Sequence, residues 1–458
     1  MNSYRTSVRQ ALRVVALGVL PLLVAAACSG SGGGSGGGSG GSDRSSAQGC
    51  QPSGGKVTLT FWSWEPGIDK IVDVWNAQNP DIQVKVKEVV SGPMGTYQNY
   101  NNAIKAHTTP DIGMIEYDSL GSYRLQNALT NLASCAGIAR AESAFVPWTW
   151  SQGTFGESGA VYAVPQDTGP MAMYYRKDIF TRYHIPVPST WDEYYQDAKL
   201  LVAADPKAKM MHIGQDAAWF QGLLWQNGAR PFHTDGNAVT VRLASPAERK
   251  VADYWQRMID QKLVTTNIAS FSPALYKAWD TGQIVTEIGA AWGYSLIRDN
   301  AKSTAGKWAV APLPQWDPSQ PAAGNWGGSS NAVFAGSKHP LEAAKFITWL
   351  GSDPQAVRML NQLGGSYPAS VQGLQLPALS QGVPFYGGQH IFDVFAKAAG
   401  QVDPSFQWGP DMTDTDTFIN DGFAAAVGGH GTLHGAMVDA QTKTVDALKA
   451  KGITATTG

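Results

Sequence analysis

Acidic and aromatic side chains adjoin in WSWEPG at 62–67 and in EYDSLGSY at 116–123. The first holds Trp64 and Glu65, the second Glu116 and Asp118. A flat indole face stacks on an apolar or C–H-bearing surface, and a carboxylate accepts hydrogen bonds from hydroxyl or ammonium groups. Such a set suits a polyhydroxylated ligand, or a polyamine held by charge and cation–π contact. Two carboxylates about 5–10 Å apart could instead hydrolyse a glycosidic bond. Asp118 with Asp167, or Asp414 with Asp416, are the pairs the chain offers for that chemistry. The sixteen tryptophans supply many more candidate plates, although core packing is the default role of each. His430 and His434 stand four apart in GGHGTLHG, a spacing that reads as a helix lead-in. No metal and no cofactor are expected.

The elements that would position these groups alternate along the chain. VTLTF, from Val57, alternates apolar and polar residues as a half-buried strand does. Ile68, Ile71, Val72 and Trp75 then recur at helical spacing, and Asn79-Pro80 ends that helix. Ile82, Val84 and Val86 mark a second strand, Tyr97, Tyr100 and Ile104 a second helix, and DIGMIEY a short buried strand. This is an α/β pattern with a mixed or parallel sheet. Ligands of such sheets bind beyond the carboxyl ends of the strands, where WSWEPG and EYDSLGSY fall. Trp191 to Gln261 reads as helix-rich, with Ser189 or Thr190 as the N-cap of the first helix. IVTEIGAAWGYSL reads as a strand turning into a helix, KWAVAPLP and GGSSNAVFAGS as strands, and Pro340 opens a helix broken near 352–354.

The amino terminus carries Arg5, Arg9 and Arg13, then an apolar run from Val14 to Val24, the layout of a secretory signal peptide over 1–27. The run is about half the roughly 20 residues that cross a bilayer. Ala25, Ala26 and Ala27 lead into Cys28, which resembles the lipobox of bacterial lipoproteins and implies lipidation of Cys28. Gly/Ser-rich chain follows to about residue 55; as a random coil its reach is on the order of 30 Å. Without the three leader arginines, 31 basic residues face 36 acidic ones, and no basic run argues for nucleic acid. With Cys28 assigned to lipid, Cys50 and Cys135 remain as an even pair in an exported chain, where a disulfide would persist.

TTPDIGMIEY, YAVPQDTGPMAMYYRKDIF, PSTWDEYYQDAKLL, EIGAAWGYS and GNWGGSSNAVFAGSKHPLEAAKFITWL follow one another in a fixed order. Together they resemble the extracellular solute-binding proteins, family 1, of sugar ABC transporters, across essentially the whole chain from Val57 to Gly452. The resemblance implies an α/β, two-lobed, periplasmic-binding-protein-like (type II) fold with its ligand cleft between the lobes. The lobes would be 56–167 plus 314–351, and 168–313 plus 352–458, with 28–55 as anchor and linker. It implies a carbohydrate ligand, permease partners, a monomer on the outer face of the cytoplasmic membrane, and no catalysis; a polyamine receptor of the same fold is the alternative. The substrate-binding residues it implies are Trp64, Glu65, Glu116, Asp118, Asp167, Trp219, Trp292, Trp326 and Asp414, with Trp408 a weaker candidate. The aromatic pair of the last binding segment in maltose-binding protein is absent, and Asp411, Asp414 and Asp416 stand there instead.

Overall fold

The computed structural model describes residues 50–235 and 238–458. The leader, Cys28 and nearly all of the Gly/Ser stretch lie outside the described residues. The strands in chain order are β1 (Val57–Ser63), β2 (Ile82–Glu88), β3 (Ile112–Glu116), β4 (Ala163–Pro165) and β5 (Asp167–Thr168). Next come β6 (Met171–Arg176), β7 (Phe232–Asp235), β8 (Ala238–Val241), β9 (Thr286–Ala290) and β10 (Trp308–Pro312). Last are β11 (Ser329–Val333), β12 (Tyr367–Pro368) and β13 (Thr454–Thr457).

The first lobe is built on a mixed sheet of order β2-β1-β3-β11-β4. β1 runs parallel to β2 and β3, and β11 runs antiparallel to β3 and β4. Along β1 the residues alternate between buried and outward positions, and the helix Ile68–Gln78 buries Ile68, Ile71, Val72 and Trp75 against the sheet. Phe61, Trp75, Phe346 and Leu350 share one core. Ala356, Leu360 and Ala369, which follow the lobe boundary expected between 351 and 352, also pack in that core. Cys50 and Cys135 are disulfide-bonded, 85 residues apart in sequence.

The second lobe carries the antiparallel sheet β10-β6-β9. Helix Trp191–Ala204 begins with a capping box in which Thr190 and Glu193 satisfy each other's backbone N–H groups, two donors that would otherwise be orphaned at the helix start. Trp191, Trp219, Trp255 and Phe423 belong to its larger core, and Trp308, Tyr386 and Phe395 to a second one. Inside the segment read as helix-rich, the hairpin β7–β8 forms, and β13 joins β8 in parallel from the far end of the chain. Between the lobes, β5 and β12 pair antiparallel, Asp167 opposite Pro368 and Thr168 opposite Tyr367. No helix among the described residues is long and apolar enough to cross a membrane.

Candidate functional site

The site assembles where the carboxyl ends of β1, β3 and β9 meet the turn before β11. That turn, Gly327-Gly328, has φ of +67° and +93°, a left-handed conformation that glycine adopts without steric penalty. A side-chain carbon at Gly327 would lie 3.5 Å from Trp292 Nε1 and 3.7 Å from Glu116 Oε1. One at Gly328 would lie 2.9 Å from the Tyr117 ring. The glycines therefore let an acid of the first sheet and a tryptophan of the second approach the same turn of backbone.

Glu116 ends β3, and its Oε2 accepts from Tyr97 Oη at 2.8 Å. Burial, with Asp118 nearby, raises its pKa well above the carboxylate range. Asp118 is itself buried; its Oδ1 accepts from Ser119 Oγ at 2.9 Å, and burial raises its pKa. Two aspartates of the second lobe join them. Asp216 caps helix Ala217–Gln226 by accepting from Trp219 N at 2.9 Å, and burial lifts its pKa to about 6. Asp416 accepts from Gln221 Nε2 at 2.6 Å and is raised by burial, then by Asp118, Asp216 and Glu116. The charges pressing on Glu116 and Asp416 are thus other carboxylates, so this cluster favours donor-bearing ligands.

The aromatic plate is Trp292, which precedes helix Gly293–Asn300 and is backed by Trp326, a residue proposed from the sequence as ligand-facing that is instead buried in the second lobe's larger core. Their ring centroids lie 4.9 Å apart, and Phe271 stands 6.0 Å from the first and 5.8 Å from the second. Trp292 is half-buried, and its Nε1 donates to the Trp326 carbonyl at 3.2 Å, which fixes the plate. Trp64 is half-buried edge-on to Tyr97 at 6.1 Å, beside Glu116.

Other residues singled out in the sequence have different surroundings. Trp219 is core: its Nε1 donates to the Ile288 carbonyl at 2.8 Å and its ring packs on Trp255 at 5.2 Å. Glu65 is buried at the lobe junction, accepting from Ser366 Oγ at 2.8 Å and Gln166 Nε2 at 3.0 Å. Burial, then Asp167, pushes its pKa to about 8. Asp167 lies in β5; its Oδ1 accepts from Ser329 N at 2.6 Å, and burial lifts its pKa to about 7. Asp414 pairs with Lys451 at 2.7 Å on the surface, so Asp416, half a turn further along the helix, is the member of that trio in the cluster. Trp408 packs edge-on to Trp225 and Phe406. His434 pairs with Glu248 Oε2 at 3.0 Å inside helix Leu433–Ala450.

A sequence profile described as "Bacterial extracellular solute-binding protein" matches residues 62–357. The chain belongs to the bacterial extracellular solute-binding proteins. Its similarity to a lactose-binding protein of Rhizobium radiobacter is 24% identity, covering 83% of this chain and 90% of that one. An arabinooligosaccharide-binding protein of Halalkalibacterium halodurans is 24% identical over 76% of this chain and 80% of its own. Among solved structures, an ABC transporter associated binding protein from B. animalis subsp. lactis Bl-04, in complex with beta-1,6-galactobiose, superposes with a TM-score of 0.79. It is 27% identical and covers 87% of this chain and 99% of its own. The galacto-N-biose/lacto-N-biose I-binding protein of Bifidobacterium longum, in complex with lacto-N-biose, gives 0.78 at 27% identity, covering 88% and 100%. Members of this family are substrate-binding proteins, and the likeness extends through both lobes of the present solute-binding protein.

Sequence reasoning passed over Asp216, Tyr97 and Phe271. Asp216 could have been found: QDAAWF places an acid at a helix start. Tyr97 and Phe271 carry no local signal, because their place depends on contacts with Glu116 and with the two tryptophans.

Proposed function

We propose that this chain is the substrate-binding component of a carbohydrate ABC importer, and that it captures a saccharide in the cleft lined by Glu116, Asp118, Asp216, Asp416 and Trp292. The observation that carries this reading is the approach of Glu116 and Trp292 to the Gly327 turn from opposite lobes. Stacking and hydroxyl recognition then meet on one sugar ring when the lobes close. Closure would turn on β5 and β12, and the closed form would present one surface to the permease. Trp64 would flank the opening. We place the first lobe at 56–167 plus 314–351, continued to 369 by the packing of Ala356, Leu360 and Ala369, and the second at 168–313 plus 370–458. We further propose export by the leader at 1–27, lipidation at Cys28, and a monomer held on the outer face of the cytoplasmic membrane.

A thermal-shift panel tests the reading. Lactose, beta-1,6-galactobiose, lacto-N-biose and arabinooligosaccharides form one arm, putrescine and spermidine the other. A ligand at 100 times its Kd stabilises by about 2.7 kcal/mol, so at least one saccharide should raise Tm by several degrees. The acid-rich cluster makes the polyamine arm a fair competitor, and a shift confined to it would replace carbohydrate by polyamine.

A further inference from the structure

The two lobes also touch beside the cleft, through residues outside the proposed ligand set. Helix Leu120–Leu125 follows Asp118 in the first lobe, and helix Met412–Val427 carries Asp416 in the second. Ser122 Oγ donates to Asp411 Oδ1 at 3.1 Å and accepts from Thr413 N at 3.1 Å. Ser122 and Asp411 are both buried, at 3% and 5% exposure. Next to them, Gly121 lies directly against the backbone of the second lobe. A side-chain carbon there would stand 3.0 Å from the Gly409 and Pro410 carbonyl oxygens. Glycine is a poor helix former, and no left-handed φ calls for it at this position. What it supplies is room for two backbones to meet.

The contact completes a helix end. The first N–H groups of a helix have no partner within it, and the N-cap side chain ordinarily serves one of them. Asp411 holds the N-cap position of helix Met412–Val427, yet its side chain makes no cap bond. Its Oδ2 is taken by Lys451, which also reaches Asp414 at 2.7 Å, and its Oδ1 by Ser122. The N–H of Thr413, in the first turn, is served instead by Ser122, 291 positions away in the other lobe. Parting the lobes would return that N–H, the Ser122 hydroxyl and one Asp411 oxygen to water. The helix therefore gains its side-chain cap only with the lobes together.

Resting on the two-lobed capture proposed above, we propose that Gly121 and Ser122 form a latch with the helix start at Asp411 and Thr413, and that this latch holds the cleft closed. They act on the ligand by slowing reopening, as positioning residues of the closed form. Lys451 fixes the carboxylate that Ser122 meets. Every saccharide that lets the lobes shut gains the same increment of retention from the latch, whatever its own contacts, and one too bulky to permit closure forfeits it.

Stopped-flow fluorescence of the full chain with lactose, beta-1,6-galactobiose and lacto-N-biose tests this in Ser122→Ala. For each sugar that binds wild type, dissociation should quicken about 5- to 10-fold, the loss expected of a missing cap. Association should change less than about 2-fold. Unliganded Tm should stay within about 2 °C of wild type, because the open form does not use the contact. A merely structural serine would lower Tm and leave the rates alone, and that result overturns the latch while leaving carbohydrate binding intact. A second variant, Ser122→Cys with Thr413→Cys, needs no ligand. Oxidised, or bridged by a short bismaleimide, it should have a smaller radius of gyration in small-angle scattering than the same protein reduced and unbridged. No cross-link, or no change in radius, overturns the proposal. If none of the three sugars binds wild type, the carbohydrate reading loses these ligands and the cysteine pair alone decides the latch.

Discussion

The cleft around Gly327 and the junction around Asp167 are both buried and both lined with carboxylates, yet they use their oxygens in opposite ways. At the junction, Glu65 receives Ser366 on one oxygen and Gln166 on the other. Gln166 in turn accepts from Asn331 Nδ2 at 2.9 Å, and Asp167 holds the backbone of Ser329. Both Glu65 oxygens and one of Asp167 take donors from the protein, so these acids position strands. In the cleft, Glu116 Oε2 takes the Tyr97 hydroxyl while Oε1 faces the Gly327 turn beside Trp292. Oxygens left without a protein donor are the ones a ligand can use. Acid residues alone do not define a binding site; the accounting of their donors does.

Tryptophans obey the same accounting, and they give the largest test. Trp219 spends its N–H on Ile288 and its face on Trp255. Trp219→Ala should therefore cost roughly 3–5 kcal/mol of folding stability, with sugar affinity of the folded fraction unchanged. Trp292→Ala should weaken saccharide binding by roughly 2–3 kcal/mol, about 30- to 150-fold, at a smaller loss of Tm. Melting and titration on both variants decide it: an early-melting Trp292→Ala protein with normal affinity would move that residue to the core.

The junction acids make a prediction about pH. In the fold Glu65 keeps its proton up to about pH 8 and Asp167 to about 7, against ordinary values of 4.5 and 3.8. The folded state therefore binds more protons than the unfolded chain across that window, so stability falls as pH rises from about 5 to 8. Glu65→Gln imitates the protonated form while still facing Ser366 and Gln166. Its Tm should decline less over the same range, and a curve parallel to wild type would show that Glu65 does not carry the effect.

The smallest expected effects separate Asp414 from Asp416. Asp414 shares Lys451 at the surface, and such pairs are worth about 0–1 kcal/mol. Asp414→Asn should leave both Tm and sugar affinity close to wild type. Asp416→Asn should weaken binding several-fold, because it changes an acceptor in the cleft. Equal affinities for the two variants would remove Asp416 from the site.

These pairs also mark how far the sequence could be read. The strand and helix order from Val57 to Tyr117, an N-cap at Ser189 or Thr190 and the break near 352–354 follow from local periodicity and end signals. So does the placing of Glu116 and Asp118, since both fall at the end of a buried strand. Glu65 has the same local signal, and only Ser366, 301 residues away in sequence, separates its role from theirs. Asp414 and Asp416 differ by two positions on one helix, and what each faces depends on Lys451 and Gln221. The hairpin β7–β8 was hidden because its strands are four residues long and its third partner is β13, at the far end of the chain.

The bond between Cys50 and Cys135 has a mechanical meaning. It ties the start of the described chain to a core residue of the first lobe, and Ser53 adds hydrogen bonds to Glu342 of that lobe at 2.9 and 3.0 Å. A pull on Cys50 would therefore reach the core of the first lobe through the disulfide. That route bypasses the pairing of β5 with β12, on which the proposed closure turns.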